Sequence, residues 1–237
     1  MLAQRQVQPE VMDQRGLPLR DHARALTGLA RLNAWSRSAE LVWGPIAELA
    51  ERRGLSRLSL LDVGCGGGDV PLACHHLAKS RGVGLDLTVL DRSATALAHA
   101  SARAAAAQVP LRCVEADISA VDLPGPFDVV TCSLLLHHLP RPVAGELLAK
   151  MAAAARFLVV VQDLRRCAPG YAAAWLASRV VTRSKVVHHD GPVSVRAAFS
   201  ADEAREMARD AGLNDVEVTT RFPWRWVLVW ERPQAQG

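Results

Sequence analysis

Between residues 58 and 162, short apolar runs alternate with alanine-rich helical runs, and no other feature of this chain restricts its fold so much. Strands that alternate with helical stretches form βαβ units, whose strands lie parallel beneath helices on both faces of the sheet. The runs at 58–63, 84–90, 110–115, 127–132 and 156–162 are short and apolar, and each is bounded by Gly, Pro or a charge. Strands covered on both faces read this way. Two further runs, 215–222 and 225–231, are close enough to pair antiparallel, with Pro223 in the turn. The expectation is an α/β chain with a doubly wound sheet, mostly parallel.

The flanks read differently. Residues 1–20 are polar, contain Pro9 and Pro18 and show no period, so they read as a mobile arm or substrate-side flap. From Asp21 to Arg53 the apolar positions Leu26, Leu29, Leu32, Trp35, Leu41, Val42, Ile46 and Leu49 recur every three to four residues. That spacing predicts two helices, the second opened by Pro45. Residues 1–54 therefore read as an arm and helical lid, and 55–237 as the main domain. A segment at about 168–199 fits the alternation poorly and reads as a substrate-side insertion: an Ala/Trp helix at 171–183, then Lys185–Pro192 as a hydrogen-bonded lid corner. A helix follows at 200–211, with Ser200 and Glu203 as a capping box and Gly212 as its stop.

Half of the 237 residues are hydrophobic, enough for one sizeable core without disulfides or metal staples. The net charge of +4 is spread along the chain, which does not imply nucleic acid as a partner. Five cysteines, odd in number and without a CxxC pair, suggest neither a disulfide framework nor a zinc ribbon and fit a reducing cytoplasm. No metal is expected. No apolar run is long enough for an integral membrane segment, and a monomer or homodimer is expected.

The strand Leu58–Val63 runs directly into Gly64, Gly66, Gly67 and Gly68 and then into a helix near Val70. Such a turn is either a tight βα connection or a place where backbone closely approaches a ligand at a helix N-terminus. Asp62 beside it would repel a pyrophosphate and suits a cationic ligand, such as a methionine moiety carrying an ammonium and a sulfonium. Asp91 ends the second strand, where a carboxylate can accept hydrogen bonds from ribose hydroxyls. Asp117 ends the third strand and either meets an adenine amino group or caps the next turn.

In order, Leu60-Leu61-Asp62-Val63-Gly64-Cys65-Gly66-Gly67-Gly68-Asp69, then Asp91, then Glu115-Ala116-Asp117-Ile118, Phe127-Asp128-Val129-Val130 and Leu136-His137-His138-Leu139 resemble the class I S-adenosylmethionine-dependent methyltransferases over roughly residues 58–165. The resemblance implies a Rossmann-like seven-stranded sheet with an antiparallel last strand. It also implies S-adenosylmethionine as cofactor and S-adenosylhomocysteine as product. Asp62, Gly64, Gly66 and Gly68 would hold the methionine end, Asp91 the ribose and Asp117 the adenine, with Ile118 against the ring and Asp69 and Arg92 lining the same pocket.

Ser133, His137 and His138 follow the fourth strand at the edge where the transferable methyl is expected. The histidines would serve either as a base for a phenol or enol or as a cofactor-packing loop. Asp163, closing the fifth strand, is expected to face the same crevice and resembles the acidic residue that shares the base role with a histidine in small-molecule methyltransferases. His137 with Asp163 is the favoured pair. Arg165, Arg166, His188, His189, Asp190, Ser194, Arg196 and Phe199 resemble a ubiquinone-biosynthesis-like subgroup, which implies an aromatic, quinol-like or polyketide-derived small molecule as acceptor, methylated on oxygen or carbon. The rivals are a protein or RNA methyltransferase on the same fold, an NAD-dependent oxidoreductase and a non-catalytic binding module.

Overall fold

The computed structural model describes residues 2, 4–13 and 16–233. Residues 1, 3, 14 and 15 of the expected arm and residues 234–237 of the main domain lie outside the described residues.

Seven strands form one sheet in the order β3-β2-β1-β4-β5-β7-β6. They are β1 Arg57–Val63, β2 Gly84–Asp91, β3 Leu111–Glu115, β4 Phe127–Ser133, β5 Ala155–Leu164, β6 Glu217–Arg221 and β7 Arg225–Glu231. Strands β1 to β5 pair parallel, and β7 runs antiparallel between β5 and β6. The doubly wound sheet expected from the alternation is therefore present, with its antiparallel last strand.

Side-chain alternation explains why both faces need helices. In β1, Leu58 and Leu60 point to one face while Leu61 and Val63 point to the other; in β5, Leu158 and Val160 oppose Val159 and Val161. The first face packs against α2 (Ser38–Arg53), α3 (Asp69–Ser80) and Ala104 of α4 (Ala94–Ala106). The second packs against α5 (Arg141–Ala154) and α8 (Ala201–Asp210), with Trp226 and Phe199 in the same cluster. Helix α8 begins with the expected capping box, in which Ser200 and Glu203 satisfy each other's backbone amides.

Two helical expectations change. The second N-terminal helix begins at Ser38, after Arg37 in the left-handed region (φ 54°), so Pro45 lies inside it and does not open it. A proline interior to a helix forgoes a single backbone hydrogen bond, and the packing of Val42, Trp43, Ile46 and Leu49 on the sheet holds the helix through that loss. The segment 185–192 is not a lid corner but the first part of a continuous helix, α7 (Lys185–Ala197), capped by Ser184 and carrying Pro192 within it. Helices α6 (Ala168–Val181) and α7 pack on each other and on α1 (Leu19–Trp35), beyond the carboxyl ends of the parallel strands.

Trp226 is fully buried, and its indole N–H donates to the Phe199 carbonyl at 3.2 Å. Trp226→Ala should lower the free energy of chemical unfolding by about 3–5 kcal/mol; a loss below about 1 kcal/mol would mean that this end of the core is loosely packed.

Candidate active site

In a parallel sheet the carboxyl ends of all strands fall on one rim, and ligands bind outside that rim where the strand order reverses. Here the reversal lies between β1 and β4. A cavity of about 1070 Å³ opens there, walled by the glycine turn, the ends of β2 to β5, and helices α1, α6 and α7. That is just above the roughly 300–1,000 Å³ usual for ligand sites.

The turn after β1 is tied to its neighbour: Gly64 and Cys65 amides donate to the Leu90 carbonyl at 2.8 and 3.2 Å, and the Gly66 amide donates to Asp91 Oδ2 at 2.8 Å. Gly66 has φ +52° and nothing within 4 Å of where a Cβ would stand, so its backbone is bare toward the cavity. Gly68 differs from what the resemblance implied. A Cβ there would come 2.8 Å from that of Ala100, and Gly68 is not among the cavity-lining residues. Its role is close packing of the turn on α4, while Gly64, Cys65, Gly66 and Gly67 line the site.

Asp62 is 2 % exposed and accepts a hydrogen bond from the Thr131 hydroxyl at 2.6 Å. Burial raises its pKa to about 7; the Thr131 bond opposes the rise, and the charges of Asp69 and Asp91 add to it. Burial likewise raises Asp69, against the amide of Asn33, which donates to it at 2.9 Å. Asn33 is the contribution of the lid helix α1; of its neighbours, Arg31 is exposed and Trp35 is half exposed on the cavity wall. Asp91 accepts from the Gly66 and Ser93 amides. Asp117 lies two residues past the end of β3, not within it, and is exposed. Its Oδ1 accepts from the Ser119 amide at 2.8 Å, so it caps the turn and borders the cavity at once. Arg92, Ile118 and Ser133 also line the wall. The bare backbone at Gly66 and the acidic side chains around it fit a cationic ligand bearing hydroxyls.

Past β4, Leu134 takes φ +59° and the chain enters a 3-10 turn, Leu136–His138. His137 Nδ1–H donates to Asp163 Oδ1 at 2.6 Å, and its backbone amide donates to Oδ2 at 3.0 Å. Asp163 is fully buried behind the histidine and does not face the crevice as expected. Burial works to raise its pKa, but His137 and the amides of Leu164 and His137 hold it below the usual carboxylate range. An ionised Asp163 on Nδ1 leaves the His137 Nε2 lone pair toward the cavity.

The arm is docked, not loose. Arg5 donates to the carbonyls of His137 and Leu139 at 2.8 and 2.7 Å, and the Val11 and Met12 amides donate to the two oxygens of Asp190 at 2.9 and 3.0 Å. It carries Glu10, 8 % exposed, to the cavity wall. Glu10 Oε1 lies 3.8 Å from His137 Nε2 and 3.9 Å from His138 Nδ1, and accepts from the Ser194 hydroxyl at 2.5 Å.

His188 and His189 fall outside the site. His188 Nε2 lies 2.8 Å from the Thr182 carbonyl, and His189 pairs with Asp190 at 2.9 Å. His75 and His76 contact the carbonyls of Leu85 and Leu72. Trp226 and Trp230 are core; Trp224 lines the cavity, and Trp175 is exposed. Glu10, Thr131 and Arg225 border or support the site without any signal in their own sequence neighbourhood. No helix among the described residues is long and apolar enough to cross a membrane.

Residues 60–156 match the family described as "Methyltransferase domain". The chain is similar to the "Ubiquinone biosynthesis O-methyltransferase" of Thiobacillus denitrificans, 32 % identical over 176 residues that cover 71 % of this chain and 69 % of the relative. It is also similar to the protein of the same description from Pseudomonas paraeruginosa, 35 % identical over 94 residues; there it spans 40 % of this chain and only 39 % of the relative's length. Among solved structures, the Synechocystis magnesium protoporphyrin IX methyltransferase with bound SAM superposes with a TM-score of 0.55 at 16 % identity, over 94 % of this chain and 88 % of that one. Human N-acetylserotonin methyltransferase in complex with SAM gives 0.61 at 16 % identity, over 90 % and 57 %. The matched family, the extended likeness to the Thiobacillus relative and the shared fold together make this chain a member of the class I S-adenosylmethionine-dependent methyltransferases.

Proposed function

We propose that this chain methylates a small molecule, a phenolic, quinol or polyketide-derived acceptor, on oxygen or carbon. The observation that carries this reading is one continuous cavity joining the glycine turn and Asp62, Asp69 and Asp91 to the Asp163-held imidazole of His137. S-adenosylmethionine, when bound, supplies an electrophilic methyl group on a positively charged sulfur.

Gly64, Gly66 and Asp62 would hold the methionine end, Asp91 the ribose, and Asp117 with Ile118 the adenine; Asp69, Arg92 and Ser133 complete the wall. Gly68 supports the turn from behind. On the far side, Leu29, Leu32, Leu139, Ala173, Ala177 and Trp224 make an apolar surface suited to a flat or aliphatic acceptor. His137 Nε2 takes the acceptor's proton, and Asp163 is a positioning residue that fixes the ring's tautomer and stabilises its charged form. His138 borders the same space. The curated relatives' description as ubiquinone-biosynthesis enzymes supports a quinol-like acceptor.

Asp62 sets the pH response. Its raised pKa means that the folded protein holds a proton the unfolded chain has lost, so its contribution to stability falls as pH rises from about 4 to about 7. Binding of a cation favours the ionised form and has the opposite sign. In calorimetry, the Kd for S-adenosylmethionine should fall about tenfold between pH 6 and pH 8, and Asp62→Asn should bind weakly at both. A flat profile in the unaltered protein would contradict the role given to Asp62.

With a panel of phenols and quinols, His137→Ala should lower kcat by about 100- to 10,000-fold with little change in cofactor Kd. His188→Ala, whose ring lies against the Thr182 carbonyl, should retain turnover. Equal losses in both variants would remove His137 from the reaction.

A further inference from the structure

Three side chains from two distant parts of the chain converge on the acceptor side of the cavity: Glu10 from the arm, and His137 and His138 from the 3-10 turn. One ligating atom of each lies within 4.8 Å of the others. Adjacent residues on regular elements usually point apart. Here the two rings lie side by side, 4.2 Å between centroids and 33° between planes. His137 offers its far nitrogen, Nε2, and His138 its near one, Nδ1, so both reach the same Glu10 oxygen, at 3.8 and 3.9 Å. Those distances are too long for hydrogen bonds. Tetrahedral zinc holds imidazole nitrogen and carboxylate oxygen at about 2.0–2.2 Å, which sets ligand atoms roughly 3.4 Å apart, about half an ångström closer than these two pairs.

The surroundings match as well. Metal-bound histidines pass their other N–H to a carboxylate, as His137 does to Asp163 at 2.6 Å. Metal-bound carboxylates are themselves hydrogen-bonded, as Glu10 is by Ser194. Glu10 is also a buried carboxylate whose charge calls for a cationic partner.

We propose that Glu10, His137 and His138 form a three-ligand site for a first-row divalent transition cation such as zinc, with its open position toward the acceptor. Two imidazoles and one carboxylate favour such a cation over magnesium or calcium. A hydroxyl oxygen of the acceptor coordinated there loses its proton to solvent while the electron pair of the O–H bond stays on oxygen. The His137 lone pair then holds the metal, and coordination takes over the role of base. Only this use of the open position rests on the methyltransferase reading; the metal site itself does not.

The test uses the full chain, stripped with chelator and titrated with Zn²⁺ by calorimetry without S-adenosylmethionine, with the visible spectrum of Co²⁺ as a second readout. One Zn²⁺ per chain is expected, undisturbed by Mg²⁺. Glu10→Gln and His138→Ala should each weaken zinc by at least about 100-fold, Asp163→Asn by about 10- to 100-fold, and His75→Ala not at all. Circular dichroism checks folding, and His138→Gln substitutes if His138→Ala does not fold. Absence of stoichiometric zinc binding, or unchanged affinity in folded Glu10→Gln and His138 variants, overturns the proposal. S-adenosylmethionine binding on the same samples separates the two readings: cofactor binding without zinc binding sinks the metal site alone, and zinc binding without cofactor binding sinks the methyltransferase reading alone.

Discussion

Parallel pairing governs this molecule. A strand that runs parallel to its neighbour must be reached by a crossover, so every carboxyl end of β1 to β5 arrives at one rim; the crossovers through α3, α4 and α5 cover the faces, while β3 is joined to β4 by an irregular segment. Asp62, Asp91, Ser133 and Asp163 are far apart in the chain and become neighbours only because each sits at such an end. β7 runs the other way, so it brings its first residue, Arg225, to the same rim opposite Leu164.

On that rim, environment and not residue type divides the acids. Asp62 and Asp163 are both buried carboxylates, yet burial raises the first while the imidazole and amides beside the second hold it down. The first is left able to respond to a cation; the second already has a lasting partner and can orient it. The contrast also refines the argument that an acid beside a glycine turn repels pyrophosphate: near neutrality Asp62 is poised, not fixed, and a bound cation settles its charge.

The sheet was legible in the sequence because its buried strands are separate apolar runs and the crossovers α4 and α5 are alanine-rich helices; both signals are local. The glycine turn and the acids at the ends of β1 and β2 were legible for the same reason. The reading erred where context overrides local preference. Pro45 and Pro192 mark helix starts or breaks in isolation, yet packing carries α2 and α7 through them. Gly68 looked equivalent to Gly64 and Gly66, and only the approach of α4 separates a packing glycine from those that line the cavity. Glu10 was invisible: it lies in a stretch without period, and its neighbours in space, His137 and Ser194, come from the middle and the last third of the chain. No spacing rule in sequence could have joined them.

The arm has a further consequence in the order of synthesis. Val11 and Met12 are made early, but the carboxylate that receives their amides belongs to Asp190, 179 and 178 residues later. Until Asp190 of α7 has left the ribosome these two amides lack the carboxylate that receives them, whereas the Arg5 contacts to His137 and Leu139 can form earlier. This part of the arm is thus synthesised before β1 and completes its contacts only once α7 exists.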